Sequence, residues 1–168
     1  MEFYDVLARR RSIRAYRKDP VPAEVLDRIA RAALEAPSAC NLQPYRFLVL
    51  TDPGLIARLN ETTRQKFIGQ APVVIAALGN DDASWHRDGR PIMEFDLGIV
   101  MEHIVLAAAA EGLGSCYIGA FDTAAADRLL QVPSGWRTVM LLPLGYPAEE
   151  PRPFVRSRSG SALWEIVK

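Results

Sequence analysis

The chain alternates between segments whose apolar residues recur at helical spacing and short runs that are apolar almost throughout. Phe3, Val6 and Leu7 form an i, i+3, i+4 stripe, which predicts a short helix over Phe3–Arg10. After the breaker Asp19-Pro20-Val21-Pro22, the residues Val25, Leu26, Ile29, Ala33 and Leu34 resume that spacing. They predict a helix from Ala23 to Ala36, stopped by Pro37. Arg46–Thr51 and Val73–Leu78 are nearly continuous apolar runs, expected as buried strands covered on both faces. Between them, Leu55–Lys66 reads as a helix. Ile92–Glu111 is the longest helical pattern, and its apolar residues cover most of the circumference, which places it in a core or an interface. Gly112 and Gly114 are expected to cap its end. Ser115–Ile118 and Thr138–Leu144 read as third and fourth strands, with a short helix over Asp122–Leu130. The polar, turn-rich stretch from Gly79 to Pro91 reads as a surface excursion. Leu163–Val167 is an apolar patch that needs something to pack against.

Composition narrows the choice of partners. With 168 residues, 49% of them apolar and 24% charged, the chain fits one domain spanning 1–168 with a real core. Its 20 basic and 20 acidic residues balance, which gives no support for general nucleic-acid binding. Cys40 and Cys116 are too few and too far apart for a disulfide framework or a metal knuckle, so reduced thiols in the cytoplasm are expected. The acidic start Met1-Glu2-Phe3-Tyr4-Asp5 has no leader character. The longest apolar run, Ile104–Ala110, falls far short of the ~20 residues needed to cross a bilayer.

Against that neutral background, Arg9-Arg10-Arg11-Ser12-Ile13-Arg14-Ala15-Tyr16 stands out. Arginine offers a planar fork of donors that fits a phosphate or a pyrimidine-dione edge. Taken alone, the run is equally a solvated helix end, where the dipole favours cations. A second stretch, Ala36-Pro37-Ser38-Ala39-Cys40-Asn41-Leu42-Gln43-Pro44-Tyr45, falls on a loop; taken alone it is ordinary turn chemistry.

Together these stretches resemble the nitroreductase family of flavin mononucleotide (FMN) oxidoreductases. Its members open with Arg-Arg-Ser-Ile-Arg-x-Tyr/Phe and continue with Pro-Ser-x-x-Asn-x-Gln-Pro-Trp; here Tyr45 stands in place of that Trp. Tyr117-Ile118-Gly119-Ala120-Phe121, Leu144-Gly145-Tyr146-Pro147 and the pair Arg156 and Arg158 extend the likeness nearly end to end. The resemblance implies an α+β fold, a central, mostly antiparallel sheet flanked by helices. It also implies an intertwined homodimer with FMN at the subunit interface, the long apolar helix in the dimer core and a C-terminal arm across the partner.

The resemblance also implies roles. Arg10 and Ser12 fall at the phosphate and ribityl chain, Arg11 gives backbone contacts, Arg14 reaches the pyrimidine side, and Arg156 and Arg158 meet the phosphate. Pro37, Ser38 and Asn41 meet FMN from the second subunit, braced by Gln43 and Pro44. Ile118, Gly119 and Ala120 lie over the flavin near N5, although a small residue at a strand end also explains this glycine. Lys66 matches only loosely and is not included. The implied reaction is ping-pong transfer of two electrons from NADH or NADPH through FMN to a nitroaromatic, a quinone or a similar acceptor. No side-chain acid or base is required, so no catalytic residue is named.

Other readings keep the fold but change the flavin reaction (reductive dehalogenation, flavin fragmentation, azoline oxidation), or leave a flavin-binding module without turnover. The short Asp81–Arg90 segment does not obviously supply the charged and aromatic lid of a deiodinase. His103, beside Glu102 in the apolar helix, reads as a satisfied core or interface histidine, His86 lies in a polar loop without partners at metal-ligand spacing, and no metal site is expected. Cys40 reads as a small filler residue beside the flavin. There is neither a Gly-x-Ser-x-Gly elbow nor a Rossmann glycine fingerprint.

Overall fold

The computed structural model describes residues 2–149. Arg156, Arg158 and the Leu163–Val167 patch lie outside the described residues. Helices α1 (Phe3–Arg9) and α2 (Ala23–Leu34) precede strand β1 (Tyr45–Leu50); α3 (Pro53–Asn60) leads to β2 (Val73–Gly79). A two-residue hairpin, β3 (His86–Arg87) and β4 (Arg90–Pro91), precedes the long α4 (Met93–Ala110). Then come β5 (Gly114–Ser115), α5 (Thr123–Leu130) and β6 (Arg137–Gly145).

Four strands form one sheet in the order β1-β2-β6-β5, and every neighbouring pair is antiparallel. The Ile118–Leu141 bridge keeps the register set by Gly114–Gly145 and Ser115–Leu144, so the expected Ser115–Ile118 strand is present as an interrupted ladder. β2 is buried along its whole length, as a continuous apolar run requires. β1 corrects the expectation of a strand covered on both faces. It is an edge strand with Val49 51% exposed, beside an apolar groove of about 250 Å³ lined by Leu26, Ile29, Ala33, Tyr45 and Phe47.

Two further boundaries differ. α3 stops at Asn60 instead of Lys66 because polar side chains capture the backbone there. Thr62 Oγ1 donates to the Leu59 carbonyl, and Asn60 Oδ1 accepts from Gly69 N. Gly112 (φ 78°) turns the chain after α4, as expected, but Gly114 does not cap it. Gly114 belongs to β5, where an added Cβ would lie 2.5 Å from Ile13 Cγ1. α4 is packed by α2 and the sheet, yet Phe95 is 65% and Ile99 42% exposed, an uncovered apolar face one turn apart. Among the described residues no helix is long and apolar enough to cross a membrane.

Candidate functional site

The arginine segment leaves α1 and runs extended along the β5 edge of the sheet. Ser12 bridges Ser115 in parallel, with Ile13 N donating to the Ser115 carbonyl at 2.9 Å. Tyr16 bridges Pro147, and Arg17 N donates to the Tyr146 carbonyl. An extended chain alternates its faces, so Arg10, Ser12 and Arg14 share one side. Cys116 reports the grouping. Burial pushes its thiol up, while Arg14, the Ser12 hydroxyl and Arg10, in that order, pull it back. Ser12 and Arg14 are exposed and Arg10 half-buried, so their donors are available.

Arg11 has a different job. Its guanidinium donates to the carbonyls of Ala8 and Arg10, satisfying the open end of α1. With Arg10 and Ile13 it lines a cleft of about 830 Å³ beside Gly112 and Gly114.

From Ser115 the chain runs through Cys116 and Tyr117 to Ile118, whose side chain is buried and whose N–H and C=O both bond Leu141. The Tyr117 hydroxyl donates to Glu102 Oε2 at 2.8 Å, and burial first, then that carboxylate, pushes the phenol far up. Thr63 Oγ1 donates to the Ala120 carbonyl at 2.8 Å, which anchors the next turn. What faces outward is Gly119 and Ala120, both exposed, with N–H groups that find no acceptor among the described residues. A Cβ on Gly119 would meet nothing within 4 Å. Four residues of chain place Gly119 at most about 14 Å from Ser115. The same anchor brings Arg64 and Lys66 alongside Ala120 and Phe121, with Lys66 Nζ donating to the Thr63 carbonyl.

The Pro37–Pro44 loop is elsewhere. It holds three left-handed residues, Cys40, Asn41 and Gln43. Gln43 N donates to Ser38 Oγ, and Gln43 Nε2 donates to Asn41 Oδ1 at 2.9 Å, which leaves the Asn41 amide N–H₂ pointing free. Ala39 N donates to Asp96 Oδ1 in the first turn of α4. Tyr45, which follows the loop, pairs with Gly79, and Gly79 pairs with Arg137 at the start of β6. The arginine strand lies beyond β5, level with the end of β6. Four strand spacings across and six residues along put the two motifs roughly 28 Å apart, at opposite corners of the sheet. One copy of the chain does not bring them together.

The donor set fits FMN. Two guanidiniums and a hydroxyl suit a phosphate and a polar chain, and the open backbone at Gly119 suits a flat ring with acceptor edges. Among the described residues no three His, Cys, Asp or Glu side chains are grouped to hold a metal. Asp96 leaves no signal in the sequence; a lone carboxylate in an apolar helical run gives no sign that it is buried.

Comparison with known proteins gives the family. The model of the nitroreductase family matches residues 7–65 and 59–146. The chain is 36% identical to an NADH dehydrogenase of Thermus thermophilus, with 86% of each chain covered. It is 28% identical to an iodotyrosine deiodinase of Thermotoga neapolitana, covering 89% of this chain and 90% of that one. The solved structure of an FMN-dependent nitroreductase from Clostridium difficile R20291 superposes with a TM-score of 0.85 at 27% identity, covering 97% of this chain and 98% of the other. The chain therefore belongs to the nitroreductase family of flavin-dependent oxidoreductases.

Proposed function

We propose that the protein is an FMN oxidoreductase that takes two electrons from NADH or NADPH and passes them to a nitroaromatic, a quinone or a similar small acceptor. The observation that carries this reading is the Arg10–Ser12–Arg14 face leading to the open, donor-bearing backbone at Gly119 and Ala120. FMN, when bound, supplies two-electron chemistry: hydride comes from the reduced nicotinamide and electrons leave to the acceptor in a second half-reaction.

The chain's own residues bind and orient. Arg10 and Ser12 hold the phosphate and ribityl chain, with each bond to a charged group contributing about 1.5–3 kcal/mol. Arg156 and Arg158 join them by resemblance. Arg14 lies toward the pyrimidine edge, where a fixed positive charge favours the electron-rich ring and eases its reduction. Gly119 admits the ring against the backbone, and Ile118, locked to Leu141, holds that backbone still.

The second half of the site comes from a second copy. Pro37, Ser38 and Asn41 lie too far from the arginine strand to meet the same FMN within one chain, so a homodimer completes each site. The uncovered Phe95 and Ile99 face of α4 and the open β1 groove give a second copy the apolar surface it needs.

Steady-state kinetics of the FMN-loaded protein test the reading. Parallel double-reciprocal lines with NAD(P)H and a quinone are expected; a bound flavin with no turnover on either nicotinamide overturns it. A second reading, reductive dehalogenation of an aromatic substrate, is favoured by one observation. Arg87 on the β3–β4 hairpin lies over the ring of Phe95 at 5.9 Å, near Trp85 and on the loop's corner of the sheet. Turnover of a halotyrosine by the reduced protein would support it.

A further inference from the structure

Among the described residues two hydrogen bonds tie the Pro37–Pro44 loop to distant parts of the chain: the Pro44 carbonyl accepts from Asn80 N at 3.0 Å where the loop enters the sheet, and Ala39 N donates to Asp96 at the turn itself. Asp96 is only 2% exposed, in the first turn of α4, where the helix dipole favours a carboxylate. Its Oδ1 accepts the Ala39 N–H at 3.0 Å, and its Oδ2 is buried without a partner. The loop it holds is unfavourable in isolation, because Cys40 (φ 50°), Asn41 (φ 57°) and Gln43 (φ 50°) all adopt a left-handed conformation that side chains resist. Such a conformation persists only where its surroundings impose it, and the Ala39 bond sits one residue before the first left-handed position.

We propose that Asp96 is a positioning residue for the flavin site. By fixing Ala39 it sets the left-handed turn that aims the free amide N–H₂ of Asn41 at the FMN held by the opposite copy. This rests on the reading above, in which Asn41 meets that FMN. Asp96 touches neither cofactor nor substrate; it acts through Asn41. The phenol of Tyr45, which follows the loop, is raised by burial first and then by the Asp96 charge.

A double-mutant cycle on FMN affinity, read by flavin fluorescence with the full-length dimer, tests the coupling. Asp96→Leu removes the acceptor at similar volume. Ala39→Pro removes the donor from the loop side without touching the helix, and the extended Ser38 (φ −138°, ψ 160°) accommodates a following proline. Asn41→Ala removes the amide. Each single variant is expected to weaken FMN binding about tenfold, the scale of one lost hydrogen bond. Adding Asn41→Ala to either of the other two is expected to cost nothing more. Asp96→Asn, which keeps an acceptor, recovers most of the affinity. Multiplying losses, or wild-type affinity in both Asp96→Leu and Ala39→Pro, overturns the proposal alone. Wild-type affinity in Asn41→Ala overturns the reading of Asn41 and the proposal with it. Should Asp96→Leu fail to fold, the Ala39→Pro arm decides.

Discussion

The hydroxyl of Tyr16 donates to the Ile13 carbonyl at 2.6 Å while lying 3.3 Å from that of Pro143, so one buried phenol ties the arginine strand to the middle of the sheet. Tyr16→Phe keeps the ring and removes the tie. A lost hydrogen bond of about 1 kcal/mol lowers Tm by about 2–4 °C for a chain of this size. Because the strand carries Arg10, Ser12 and Arg14, FMN affinity should fall as well. Thermal unfolding with and without FMN checks both; a Tm loss with unchanged FMN affinity contradicts the link between strand and site.

Gly114 and Gly119 separate fold from site. A Cβ on Gly114 would stand 2.5 Å from Ile13 Cγ1 and 2.7 Å from Ile13 Cβ, so Gly114→Ala must push the arginine strand off β5. That overpacking costs about 1–3 kcal/mol, seen in denaturant unfolding of the apoprotein. Gly119→Ala meets nothing within 4 Å and should leave apoprotein stability unchanged. It occupies the space assigned to the ring, so FMN titration should show weaker binding there.

Alkaline pH should destabilise the protein through two phenols. Burial first raises both Tyr16 and Tyr117 above the ordinary value of 10.0; the Cys116 charge adds for Tyr16 and Glu102 adds for Tyr117. The folded state therefore keeps protons that the unfolded state releases near pH 10, and stability present below that value is lost as pH rises above it. Denaturant unfolding from pH 8 to 11 should show the decline. Tyr16→Phe or Tyr117→Phe should each reduce its slope.

Two broken copies should repair one another. Arg14→Ala damages the arginine half of each site and Asn41→Ala the loop half. In a mixed dimer both lesions fall in one site and the other is whole. Random exchange of subunits should restore about a quarter of wild-type sites, since half the dimers are mixed and each has one intact site. FMN binding in the exchanged mixture measures this, and no recovery contradicts a site built by two copies.

The elements were legible where one interaction dominates. β2 and α4 follow from their apolar patterns because the same burial that shapes the pattern shapes the element. β1 reads as doubly covered because Phe47, Leu48, Val49 and Leu50 look alike in an edge and a central strand; what lies beside Val49 is a tertiary fact. Gly114 reads as a cap because its partner, Ile13, is far away in the chain. The grouping of Arg10, Ser12 and Arg14 is visible in the motif, but Arg11's turn back onto α1 is not, since three arginines in a row do not say which face each takes. The Asp96–Ala39 tie left no local trace at all.

The central claim is that FMN binds here and is reduced by a nicotinamide. The most direct measurement is the visible absorption spectrum of the purified protein, supplemented with FMN if needed, before and after one equivalent of NADH or NADPH without oxygen. A bound-flavin spectrum that bleaches with one of them is the expected result. A protein that stays colourless and takes up no FMN, or a bound flavin that neither nicotinamide bleaches, contradicts the claim.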